Sequence, residues 1–236
     1  MLSELFIDEV QLKRDCIPNA SQYPFSLEAV RNLTKLKLHS NVTILVGENG
    51  SGKSTILEAI AIAYGFNPEG GSKNYNFSTK DTHSQLYKYL RLVKGITHPK
   101  DGFFFRAESS YNVASYLEEW HIYEEHLHNM SHGESFFWLF MNRFIGNGLY
   151  ILDEPEAALS PLSQMSFLSR LHDLEKSNSQ FIISTHSPII MAYPTADILS
   201  VENNFTKVEY KETEHYRIMH NFLNNTDKML RILFED

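Results

Sequence analysis

A single cysteine, Cys16, stands among 236 residues, so the chain cannot close a disulfide on itself. That composition fits a reducing cytoplasm. Long apolar runs are also missing. Those present are short and broken by polar residues, far below the ~20 residues that a membrane span needs, so membrane insertion is not expected. Met1 to Val10 is acidic and alternating and does not read as a secretory signal. Basic residues are in deficit, 21 Lys and Arg against 29 Asp and Glu, giving a net charge of -8. This excludes a surface that is basic all over, as a general nucleic-acid coat would be. A local patch stays open, because Lys13, Arg14, Arg31, Lys35 and Lys37 share the stretch from Gln11 to Ser40 with only Asp15 and Glu28. A solvated face is the plainer reading of that stretch. Internal repeats and long linkers are absent too, so one domain over residues 1–236 is expected. What remains is an ordinary globular chain, 42% hydrophobic and 21% charged, long enough for one large α/β domain.

Periodicity divides the chain into alternating elements. Residues 2–12 and 33–40 alternate as strands do, and Val42–Val46 is a β-branched run that reads as a buried central strand. From Lys53 the apolar spacing turns helical through Ile56, Leu57, Ile60 and Ile62, and stops near Gly65. Residues 66–82 read as a polar surface loop, 84–94 as a helix, 102–106 as a strand and 110–147 as mostly helical. Gly148–Asp153 and Gln180–Thr185 are further buried strands with a helix over 161–176 between them. Strands near 197–201 and 205–210 precede one closing helix from His215 to Phe234. Strands alternating with helices predict a largely parallel sheet covered on both faces.

Two motifs carry chemistry. Residues 47–55 read Gly47, Glu48, Asn49, Gly50, Ser51, Gly52, Lys53, Ser54 and Thr55, a complete G-x-x-x-x-G-K-[ST] between a strand pattern and a helix pattern. Glycines let the backbone wrap so that its N–H groups converge on phosphate oxygens, and the following helix adds its positive end. Lys53 would reach the β- and γ-phosphates of ATP, and the Ser54 hydroxyl would ligate magnesium. The run Leu149-Tyr150-Ile151-Leu152 then delivers Asp153 and Glu154 at a strand end. Asp153 there would hold Mg2+, and Glu154 would orient the water that attacks the γ-phosphate.

With these motifs in place the chain resembles the nucleotide-binding domains of the ABC ATPase superfamily. Ser131-His132-Gly133-Glu134-Ser135 is similar to the signature loop of that family, and it lies between the P-loop and the Asp-Glu strand as the family requires. Pro155 to Ser160 resembles the loop that follows the acids, and Thr185-His186-Ser187 resembles the segment of the switch histidine. Read alone, Ser131 and Glu134 also suit a helix capping box, and His186 a structural histidine. The resemblance implies a P-loop NTPase fold of the ABC type: a mostly parallel central sheet, an N-terminal antiparallel β part, and a helical subdomain over about residues 84–147. It implies an ATPase whose two subunits pair head to tail, each ATP lying between one P-loop and the partner's Ser131, Gly133 and Glu134. Glu154 would position water and His186 would contact the γ-phosphate. The closed dimer would then act on an effector or regulatory protein.

Departures from the transporter pattern point to a branch. Glu134 stands where transporter domains carry Gln, which resembles the SMC, RecF and OLD-like ATPases and short stand-alone ATPases of bacteria. That branch implies work in DNA maintenance or phage defence, although the net charge gives no sign of DNA binding. His132 replaces a glycine of the signature. The family's glutamine after the strand is missing, leaving Arg106, Glu108 and the earlier Gln85 as candidates, and Tyr23 and Phe25 as candidates for adenine stacking or for core. His121, His126 and His128 with Glu124 and Glu125 match no familiar metal spacing. The energising subunit of a membrane transporter and a small-molecule P-loop kinase are the alternatives. The absence of N-K-x-D disfavours GTP.

Overall fold

The computed structural model describes residues 5–72, 83–106 and 132–234. Among the described residues ten strands form two sheets. The first sheet is antiparallel and runs β2 (Lys35–Lys37), β1 (Ile7–Leu12), β5 (Leu90–Lys94). The second has seven strands. Its centre is parallel: β9 (Asp197–Ser200), β3 (Val42–Val46), β8 (Gln180–Ser184), β7 (Gly148–Asp153) and β6 (Asp101–Arg106). Antiparallel β10 (Thr206–Lys207) and β4 (Gly71–Ser72) close its two edges. The expected α/β architecture, a mostly parallel sheet with a smaller antiparallel N-terminal sheet, is the one observed.

Side-chain alternation explains why the central sheet is covered twice. Leu45, Phe104, Leu149, Ile151 and Ile182 point to one face and join the core shared with β1 and helix α1 (Glu28–Asn32). Ile44, Phe103, Phe105, Tyr150, Leu152, Phe181 and Ile183 point to the other. Helix α2 (Lys53–Tyr64) lies between the two sheets, so Ile56, Leu57, Ala59, Ile60 and Ala61 are all fully buried. A helix buried on most sides has little amphipathic contrast, which is why its pattern is so continuously apolar.

On the opposite face, α3 (His132–Asn142) and α4 (Pro161–Lys176) pack on the sheet through aromatic rings. Phe136, Phe140 and Phe144 recur every four residues and stack on Phe105, Phe167 and Tyr150 with ring centroids 3.9, 4.3 and 4.3 Å apart. Phe136, Leu139, Phe140 and Phe144 are thus core. Tyr150 also satisfies its hydroxyl, donating to Asp101 at 2.8 Å or to the Ile145 carbonyl.

Three expectations are corrected. Residues 84–94 are not one helix: Ser84 caps a 3-10 turn over Gln85–Tyr89, and β5 follows. Pairing with β1 supplies the backbone partners that a lone amphipathic helix would have had to find within itself. The strand at 205–210 shrinks to β10, after which a 3-10 turn spans Tyr210–Glu212. The closing helix is two, α6 (Glu214–Asn224) and α7 (Thr226–Phe234), broken at Asn225, whose N–H and side chain both bond back to Asn221. Thr213 caps α6, accepting from the Tyr216 N–H. Between α4 and these helices lies the short α5 (Pro188–Met191). Ser131, Glu108, the cluster of His121, His126 and His128, and most of the helix expected over 110–147 lie outside the described residues.

Candidate functional site

The register of the parallel strands sets the site. Arg106 of β6 stands beside Asp153 of β7, Asp153 beside Ser184 of β8, and Ser184 beside Leu45 of β3. The carboxyl ends of four strands therefore form one edge, and the P-loop leaves β3 at that edge, where open α/β sheets bind ligands. Gly47 cannot carry a side chain, since a Cβ there would meet Val201 Cγ2 at 2.7 Å. Gly52 caps α2 in the left-handed region, with φ 104°, and brings the helix N-terminus around to the loop. The Ser51 carbonyl accepts from the Ala29 N–H at 2.9 Å, which ties the loop to α1.

Lys53 is almost wholly buried, and its Nζ donates to the Gly47 and Glu48 carbonyls at 2.7 Å each. Burial lowers its pKa, and Glu154, Glu202, Asp153 and Glu156 oppose that shift. Ser54, the next residue of α2, bonds the Asp153 carboxylate, which also accepts from Ser184 Oγ. Burial raises the Asp153 carboxyl to about 6, against the lowering effect of the Ser184 and Ser54 hydroxyls. Ser54 and Asp153, expected as one metal pair, do stand together.

Glu154 follows in the left-handed region at φ 48°, and its N–H donates to the Ser184 carbonyl at 3.0 Å. That turn swings its side chain off the strand, so its Oε1 lies 3.6 Å from His186 Nε2. His186 is anchored from two sides. Its N–H donates to Glu156 Oε1 at 2.5 Å, and its Nδ1 lies 2.7 Å from Nε2 of His215 on α6. Burial, then Lys53 and His215, lowers the His186 pKa to about 4, so the ring is neutral at neutral pH. A cleft of about 460 Å³ opens beside these groups, lined by Glu48, Asn49, His186, Pro188, Glu214, His215, Ile218 and Met219.

The remaining expectations divide. Arg106 does reach the site edge, but it pairs with Glu58 of α2 at 2.7 Å. Gln85 is exposed on its 3-10 turn. Phe25 is buried and packs edge-on against Tyr89, so it is core, while Tyr23 is 66% exposed. Gly133 and Glu134 fall in the first turn of α3, where only the backbone is described. Sequence reasoning missed Glu202 and His215. The Glu202 carboxylate accepts from the Glu48 N–H at 2.6 Å, and its backbone carbonyl is held by Asn32. No spacing rule could have found either residue, because both arrive from after β9, on the far side of the sheet order from Asp153.

Comparison with known proteins agrees with this geometry. The family model "AAA domain" matches residues 23–129, and "AAA domain, putative AbiEii toxin, Type IV TA system" matches residues 127–192. An "Uncharacterized ABC transporter ATP-binding protein" of Haemophilus influenzae is 26% identical over 70% of this chain and 72% of its own length. A "Probable branched-chain amino acid transport ATP-binding protein LivG" of Archaeoglobus fulgidus is 21% identical over 83% of this chain and 88% of its own. The "Retron Vc95 probable ATPase" of Vibrio cholerae is 33% identical over 40% of this chain, which spans only 21% of that protein. A P-loop at the carboxyl edge of a largely parallel sheet, with family matches running from residue 23 to residue 192, makes the chain a nucleotide-binding domain of the ABC/AAA ATPase superfamily.

Proposed function

We propose that the chain hydrolyses ATP as a head that pairs with a second copy around the nucleotide and thereby moves a partner protein. The observation that carries this reading is the meeting of Ser54, Asp153, Glu154 and His186 around the buried amine of Lys53. Lys53 would exchange the two loop carbonyls for β- and γ-phosphate oxygens. The first-turn N–H groups of α2, which have no partner within the helix, would take the phosphates, with Gly47 to Thr55 wrapped around them.

The donor set suits magnesium. An aliphatic hydroxyl and a carboxylate are hard oxygen ligands, and two protein oxygens with phosphates and water are what that ion takes. Among the described residues no group of three or more His, Cys, Asp or Glu stands ready to hold a metal without phosphates. Bound magnesium supplies charge neutralisation on the β- and γ-phosphates. The raised Asp153 carboxyl fits a buried group whose ionised form a bound cation would stabilise.

Glu154 would accept a proton from, or orient, the attacking water, and His186 Nε2 would face the γ-phosphate. Ser131, Gly133 and Glu134 of a second copy would close the site through the N-terminus of α3. Glu134 in the signature, the retron ATPase match and the toxin–antitoxin family model favour a defence or DNA-maintenance setting. The two transporter-named relatives favour a second reading, the energising subunit of a transporter. Among the described residues no helix is long and apolar enough to cross a membrane.

The test is the mass of Glu154→Gln in solution by light scattering. A monomer that becomes a dimer only with ATP and magnesium is expected. Binding of ATP at one unchanged mass would refute the sandwich and bring forward a kinase.

A further inference from the structure

His215 has no place in the motif-based site, yet it lies within hydrogen-bond distance of His186. It is the second residue of α6, whose start is fixed by the Thr213 cap. The 2.7 Å between His186 Nδ1 and His215 Nε2 requires one nitrogen to donate and the other to accept. Two settings satisfy that rule, and the surroundings choose between them. His186 Nε2 is buried, has no hydrogen-bond partner, and lies 3.6 Å from Glu154 Oε1. A carboxylate oxygen accepts only, so it repels a nitrogen lone pair and attracts an N–H. The proton of neutral His186 therefore belongs on Nε2. Nδ1 must then accept, and His215 must donate from Nε2.

Charges around the pair leave both rings neutral, so each carries one ring proton. Lys53, Glu154 and Glu156 surround His186, while Lys53, Glu202 and Glu214 surround His215. Burial and the Lys53 cation keep both rings from taking a second proton.

We propose that His215 is a positioning residue for ATP turnover: by donating to His186 Nδ1 it holds the His186 ring as an Nε2–H donor aimed at the γ-phosphate. A phosphate oxygen needs a donor there, and the opposite tautomer would present a lone pair to an anion. This inference rests on the reading of His186 given above. It adds that the tautomer of His186 is set by helix α6 and not by the segment after β8 that carries the histidine.

Turnover and nucleotide binding are to be measured separately for His186→Ala, His215→Ala, His215→Gln and the double alanine variant. Loss of the positioning contact should lower kcat on the order of tenfold while KM and ATP binding stay within about twofold. Glutamine, whose amide also donates, should recover most of that loss. The double variant should be no slower than His186→Ala, since the two residues act through one ring. Nitrogen-15 NMR of the unaltered protein should show His186 protonated at Nε2.

If His186→Ala slows turnover while His215→Ala does not, or if the two losses multiply, the positioning role is wrong and the role of His186 stands. If His186→Ala turns over normally, the reading of His186 fails and this proposal fails with it. Should the alanine variant lose its fold, the NMR result decides the question, because protonation at Nδ1 overturns the proposal without any substitution.

Discussion

Asp153 shows how a single residue can be built against its own ionised form. Its carboxyl is buried at the end of β7, and burial lifts it from 3.8 to about 6 despite two hydroxyl donors. The sign of the linkage follows. An acid whose folded pKa is raised costs stability wherever it is ionised, so the cost is present above pH 6 and gone below pH 4. A shift of about two units corresponds to about 3 kcal/mol. Asp153→Asn keeps an oxygen for Ser184 Oγ and removes the charge. Without nucleotide or magnesium, this variant should be more stable than the native chain by about 2–3 kcal/mol at pH 8. The gain should halve near pH 5 and vanish below pH 4, as read from denaturant midpoints at each pH. A gain that does not change with pH would mean that the folded carboxyl titrates as it does in the unfolded chain, and that its environment is not what burial implies. Glu154 next door holds a left-handed backbone without being glycine, a conformation that costs on the order of 1 kcal/mol and recurs where side chains are aimed at chemistry.

Among the elements, one side chain ties the two sheets by hydrogen bonds to the backbone. Gln180 of β8 donates from Nε2 to the Ile7 carbonyl at 2.8 Å and accepts from the Ile7 N–H at 2.9 Å, and both residues are buried. Gln180→Ala would leave two buried backbone groups of β1 unpaired, each costing about 1–3 kcal/mol. A loss of about 2–4 kcal/mol in unfolding free energy is expected, measured by urea titration; a loss below 1 kcal/mol would mean that water replaces the amide. That contact could not be read from sequence, because it joins residues 173 positions apart. What could be read was local. The P-loop and the strand ending in Asp153 declare themselves because their chemistry fixes residue types at consecutive positions. Helix 161–176 matches α4 residue for residue, since Ser160 and Pro161 mark its start. Residues 84–94 misled because Leu86 and Leu90 have helical spacing, whereas Leu90 and Leu92 alternate on a strand that β1 completes. The closing helix was split by the side chain of Asn225, a competition that periodicity does not register. His215 stayed unassigned for the same reason as Gln180: its partner is distant in sequence and is met only in the folded chain.

For the whole molecule, the nucleotide should stabilise the fold and not merely visit it. The proposed phosphate site is assembled from β3, α2, β7, β8 and the residues after β9, which is most of the central sheet. An unfolded chain has no such site, so ATP binds the native state alone and stabilises it by mass action. At a hundredfold excess over Kd the gain is about 2.7 kcal/mol. For a chain of this length that corresponds to roughly 5–10 °C in Tm. Lys53→Ala removes the amine that bridges the Gly47 and Glu48 carbonyls and would meet the phosphates. It should abolish the shift with ATP and magnesium, as followed by calorimetry, while the protein still unfolds in one cooperative step. Magnesium alone should shift the native chain little, since Ser54 and Asp153 offer only two oxygens without phosphates. A Lys53→Ala protein that gained the full stabilisation would place the nucleotide elsewhere on the molecule, and the roles given to Glu154 and His186 would fall together.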